Sequence, residues 1–136
     1  MVKNYFYLIV GFLCVLFAVT HTLNGMSTTL PILGNAGMEV NTKTAFTYVW
    51  HVIGIENLVL GVALLIMACM KNLSKVRFTA WLIITILFMR WVVIASVTLL
   101  SNSASVMQLL PDTIAIFVVI VLLFFGTKIK DRISNK

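Results

Sequence analysis

Residues 45–70 read AFTYVWHVIGIENLVLGVALLIMACM, an almost unbroken apolar run. As an α-helix rising ~1.5 Å per residue, it is longer than the ~30 Å hydrocarbon core of a bilayer. Three further stretches have the same character: about Tyr5–Thr22, Phe78–Leu100 and Leu109–Thr127. Each reaches or approaches the roughly 20 residues that a membrane-crossing helix needs. Strands of a membrane barrel would be shorter and would alternate in polarity, so helix is the choice for all four. The expected fold is all-α, an integral membrane antiparallel four-helix bundle. It forms a single transmembrane domain over residues 1–136, with spans at about 5–22, 45–70, 78–100 and 109–127.

Composition leads to the same class. Of 136 residues, 61% are hydrophobic and only 10% are charged, with a mean hydropathy of +1.08. Soluble domains carry about 25% charged residues, so this chain lacks the polar surface to stay in water. Intrinsic disorder fails on the same numbers. The partner this implies is the lipid bilayer.

The net charge of +6 does not mark a nucleic-acid partner, because the basic residues gather in short segments between the apolar runs. Lys3 precedes the first span, Lys71, Lys75 and Arg77 separate the second and third, and Lys128, Lys130, Arg132 and Lys136 follow the fourth. The other side holds Lys43 alone. The positive-inside rule then puts both termini of this multi-pass protein in the cytoplasm. The first run reads as a retained span rather than a cleaved leader, since Ala18-Val19-Thr20-His21 offers no small-x-small cleavage site.

The outer connection, 23–44, is the longest. Gly25, Pro31, Gly34 and Gly37 predict a loop over the outer mouth, with an apolar patch at Leu30-Pro31-Ile32-Leu33. A second outer loop is expected over 101–108. Leu110-Pro111-Asp112-Thr113 reads as a helix start, with Asp112 favoured by the positive end of the helix dipole. In the second span Thr47, Gly54, Gly61 and Ala68 recur every seven residues, a stripe that lets another helix come close. That span is expected to be the most buried, and the fourth to face lipid or a partner subunit.

Ionisable groups inside spans are costly and mark function or structure-defining pairs. This chain has four: His21, His51, Glu56 and Arg90. Glu56 lies about 11 residues into its span, roughly 16 Å deep, and Arg90 about 12 residues in from the other side, roughly 18 Å deep. Opposite charges at one depth on consecutive helices are expected to pair. The pair either fixes helix register or floors a polar cavity. His21 and His51 both lie in the outer half, on spans adjacent in sequence. Facing one cavity, they would ligate a transition metal or a haem iron (haem b), relay protons or bind a ligand head group. Trp50 and Trp91 would wall that cavity beside His51, and Asn57 adds a polar neighbour to Glu56. Thr44, Thr47 and His51 share one helical face, and Cys14, Ala18, His21 and Gly25 share another. Cys14 and Cys69 show no CxxC spacing and read as small buried hydrophobes. The chain has no GxSxG, Walker loop, HExxH or dinucleotide fingerprint. The triplet Asn72-Leu73-Ser74 falls on the cytoplasmic side.

Several elements together resemble the small four-span membrane proteins related to DoxX. They are Thr20-His21-Thr22 closing span one, Trp50-x3-Gly54-x6-Gly61 in span two, Arg90 in span three and Pro111 opening span four. The resemblance covers most of the chain. It implies a bacterial inner-membrane protein, in some cases an accessory of respiratory or quinone-linked oxidoreductases, and carries over no catalytic residue. Locally, His51-x4-Glu56-Asn57 is similar to a motif of the membrane-associated eicosanoid and glutathione metabolism family, whose members form trimers and in part bind glutathione. The family's arginines, inner Asn and Pro fall here on Phe46, Val49, Ile53 and Val59, and its helix runs the opposite way.

The leading expectation is a non-enzymatic membrane protein with an outward-opening polar pocket for a small amphipathic or lipophilic ligand. His21, His51, Glu56 and Arg90 would line it, with Trp50 and Asn57 beside them. One alternative is a haem- or quinone-linked electron-transfer subunit using His21 and His51. The other is a small transporter working as a homo-oligomer or with a membrane-protein partner, with Glu56 as its carboxylate. Arg90 as a built-in counter-ion counts against a proton-carrying Glu56.

Overall fold

The computed structural model describes residues 2–101 and 106–129, and every described element is helical. Helix α1 covers Tyr5–Asn24 and runs through a π-helical turn, Gly25–Thr29, into the short α2, Leu30–Asn35. Helix α3 covers Val40–Cys69, α4 Leu73–Ser101 and α5 Val106–Lys128. Four helical stretches are long and apolar enough to cross a bilayer: Tyr5–Asn35, Val40–Cys69, Leu73–Ser101 and Leu109–Lys128. The outward surface is apolar, with Phe12, Val59, Phe78 and Leu100 all exposed. Exposed apolar side chains at this density suit lipid rather than water. The chain is a multi-pass membrane protein.

The connection 23–44 is not the loop its glycines and Pro31 predict. Helix continues to Asn35, and only residues 36–39 separate α2 from α3. Pro31 lies at the start of α2, where its missing N–H costs little. None of the chain's described glycines has a positive φ, so Gly25 and Gly34 stay helical. At the other connection, α5 begins at Val106, before the expected start at Leu110, and carries Pro111 in its interior. Asp112 therefore lies within the helix rather than at its start. The rest of the expected 101–108 loop, and Lys130, Arg132 and Lys136, lie outside the described residues.

One end of the molecule is tightly knotted. Asn4 is fully buried; its Oδ1 accepts from the Phe6 and Tyr7 amides and its Nδ2 donates to the Gly126 carbonyl at 2.9 Å. That is an N-cap, worth about 1 kcal/mol, used also as a tie to α5. The Lys3 and Asn4 amides donate to the Ala68 carbonyl, and Arg77 reaches the Ile129 carbonyl. The start of α1 thus meets the ends of α3 and α5. The core continues from there through Tyr7, Val10, Cys14, Leu64, Met67, Val76, Ala80, Ile83, Leu87, Val119 and Leu123.

Helix α1 packs along α3 and also against α5, and α4 packs against α5. The small-residue stripe of α3 makes the first contact possible. A methyl group at position 61 would sit 2.9 Å from the Gly11 carbonyl oxygen and 2.8 Å from a Val15 methyl. Gly54, Gly61 and Ala68 are buried in this seam, whereas Thr47 is only half-buried. The expected most-buried helix, α3, shares that rank with α1, which lies between two partners. By contrast α3 and α4, consecutive in the chain, touch little.

Candidate functional site

Where α3 and α4 touch little, the four long helices line a half-open cavity of about 870 Å³ beyond the core. Cys14, Phe17, Leu87, Val93, Ile94 and Val119 supply apolar walls. Its polar groups are Thr20, His21 and Asn24 from α1, Glu56 and Asn57 from α3, Arg90 from α4 and Asp112 from α5.

Arg90 organises the floor. Its Nη2 lies 2.5 Å from Glu56 Oε2, and its Nη1 donates to Asn57 Oδ1 at 2.8 Å. Nη2 is buried and makes no aligned hydrogen bond, so its tie to Glu56 is one of charge to charge. The matched depths of Glu56 and Arg90 in their spans predicted this pair. The Glu56 side chain remains 38% exposed, against 19% for Arg90.

His21 is locked to α3. Its Nε2 meets the Trp50 carbonyl at 3.1 Å, while Trp50 Nε1 donates to the His21 carbonyl at 3.1 Å. The rings stack 4.4 Å apart and 9° from parallel. A carbonyl only accepts, so Nε2 carries the hydrogen, and in the neutral ring Nδ1 is left as an acceptor. Gly25 is needed here, since a side chain there would run into the Trp50 indole. The π-helical turn begins at this glycine; such turns are uncommon and often mark functional sites.

His51 lies elsewhere. It lines a second concavity, of about 740 Å³, along one face of α3, with Val40, Lys43, Thr44, Thr47, Tyr48, Val52, Ile55 and Glu56. The shared face of Thr44, Thr47 and His51 is real, but it turns away from His21. The two histidines therefore line different hollows, and one nitrogen of His21 is committed to Trp50. The expected common cavity that would seat a haem or a metal ion between them is not formed, because α1 packs on the Trp50 side of α3. Trp50 stacks on His21 rather than walling His51. Trp91 donates to Thr113 Oγ1 at 3.1 Å and packs edge-on to Phe117 on α5. Among the described residues no three His, Cys, Asp or Glu side chains gather at metal-binding distance.

The structure thus brings His21, Glu56, Asn57 and Arg90 to one cavity and leaves His51 and Trp50 outside it. Asp112 and Asn24 join it without having been expected there, and Cys14 joins it on the face it shares with His21. Asp112 was obscured by Pro111, which made it read as a helix start. The spacing from Cys14 to His21, seven residues, was the available signal for Cys14. No family model, curated protein or solved structure matches the chain.

Proposed function

We propose that the protein binds a small amphipathic or lipophilic ligand in the cavity floored by Glu56 and Arg90. In this reading the four spans run antiparallel, both termini lie in the cytoplasm and the cavity opens outward from the inner membrane. Five described basic residues, Lys3, Lys71, Lys75, Arg77 and Lys128, flank the knotted end, and Lys43 alone lies near the other. That asymmetry supports the orientation.

The observation that carries the binding role is the cavity itself. Apolar walls with a few convergent polar groups are the usual make-up of a small-molecule site. An ion pair serving only helix register needs no such space beside it. The DoxX-like resemblance fits a small four-span protein of this kind and adds no site residue.

The test is thermal unfolding of the protein in neutral detergent with decylamine, decanoate and decanol. At least one should raise the unfolding temperature, since a ligand of the folded state stabilises by mass action. The rise should shrink in Glu56→Gln and Arg90→Ala. If no amphiphile stabilises the protein, or both variants respond like wild type, this reading is wrong.

A further inference from the structure

Glu56 is the one described residue that lines both concavities, the interior cavity and the groove on α3. The groove is formed by α3 alone, with Tyr48, Val52 and Ile55 exposed along it, where α4 leaves α3 uncovered. Such a surface faces lipid. Glu56 thus borders the interior cavity on one side and this lipid-facing groove on the other.

The charges of the cavity are unbalanced. With histidines counted neutral, Glu56 and Asp112 oppose the single guanidinium of Arg90. Arg90 is already engaged with Glu56 and Asn57. Asp112 has no hydrogen bond or ion pair among the described residues. His21, with Nε2 donating to Trp50, adds an acceptor. In the groove, Lys43 is 13 residues from Glu56, ~20 Å along the helix, and its Nζ donates to the Gly34 carbonyl. An anion entering the cavity would meet a net negative field and an occupied arginine. A cation would meet an excess of one carboxylate, Asp112 beside the Glu56–Arg90 pair, and the attraction is stronger where lipid lowers the dielectric.

We infer that the ligand is a lipophilic cation, which reaches the cavity from the bilayer along the α3 groove and sets its charge against Glu56 and Asp112. This rests on the cavity being a binding site and adds the sign of the charge and the route. The probes are tetraphenylphosphonium and tetraphenylborate, ions of similar size and opposite charge. Equilibrium dialysis in neutral detergent, corrected against protein-free micelles, compares them. The cation should bind at least about tenfold more tightly than the anion, a difference of about 1.4 kcal/mol. Glu56→Gln and Asp112→Asn should each weaken the cation and leave the anion unchanged or stronger. Asp112 is exposed, so its variant keeps the test sound if Glu56→Gln fails to fold. Ile55→Trp, which narrows the groove, should slow uptake of the cation from vesicles.

Equal binding of the two ions, or preference for the anion, overturns the inference while the cavity remains a site. An uncharged amphiphile that stabilises the protein when neither ion binds does the same. If nothing binds, whatever its charge, the inference falls together with the reading it rests on.

Discussion

The two ends of this molecule are built from the same four helices and pack in opposite ways. At the Asn4 end, Tyr7, Val10, Leu64, Ala80 and Leu123 fill the space between helices, and a fully buried asparagine ties three chain segments together. At the Asp112 end the helices part, and polar groups from each of them line a hollow. In lipid, tails compete with side chains for apolar contact, so close helix packing rests on van der Waals fit and hydrogen bonds rather than on escape from water. The closed end has both. At the open end polar side chains meet in a few ties, Arg90 with Glu56 and Asn57, His21 with Trp50 and Trp91 with Thr113, and the space between these is left unfilled. The difference teaches that in so apolar a chain a polar residue closes the packing where it finds backbone partners, as Asn4 does, and leaves it open where several ionisable groups converge, as around Arg90.

The largest effect is expected at the seam both ends depend on. Gly61→Leu drives a side chain into Gly11 and Val15 and separates α1 from α3. Denaturant unfolding in micelles should show a loss of at least about 3 kcal/mol. Next comes Arg90→Ala, which strands Glu56 within the span. It should cost about 3 kcal/mol, and the double variant Glu56→Gln/Arg90→Ala should recover most of the loss. Failure of the double variant to recover would mean that Arg90 acts through packing rather than charge.

A paired substitution compares the ends directly. Ala80 is fully buried in the core, while Ala115 lines the cavity. Ala80→Trp should destabilise by about 2 kcal/mol through overpacking, and Ala115→Trp should stay within about 0.5 kcal/mol. Equal costs would show that the distal half is as closely packed as the proximal one. A cost below that of Ala80→Trp belongs to Trp50→Phe, which keeps the ring against His21 and removes one hydrogen bond, at about 1 kcal/mol.

Helix class and number were legible in the sequence, because hydrophobic length alone decides them in a chain like this. The Glu56–Arg90 pair was legible too, since depth along a span follows from residue count. The extent of helix between Leu23 and Thr44 was not. Gly25, Pro31 and Gly34 normally end helices, yet in this setting the backbone finds its partners within the helix. Helix rotation was the other hidden quantity. His21 and His51 both lie in the outer half of their spans, but depth says nothing about azimuth. Gly54 and Gly61 turn one side of α3 to α1 and leave His51 on another side. Which helices would part, and so where the cavity lies, depends on packing between α3 and α4 that no local pattern encodes.

The most direct measurement is the rise in unfolding temperature caused by whichever decyl amphiphile stabilises the wild type, repeated on Ala115→Trp and on Phe12→Trp. At a hundredfold excess over Kd the stabilisation should be about 2.7 kcal/mol in the wild type. It should persist in Phe12→Trp, whose side chain lies on the lipid-facing surface, and fall away in Ala115→Trp, which obstructs the cavity. An undiminished rise in Ala115→Trp would place binding elsewhere and leave Glu56 and Arg90 as a lock between helices.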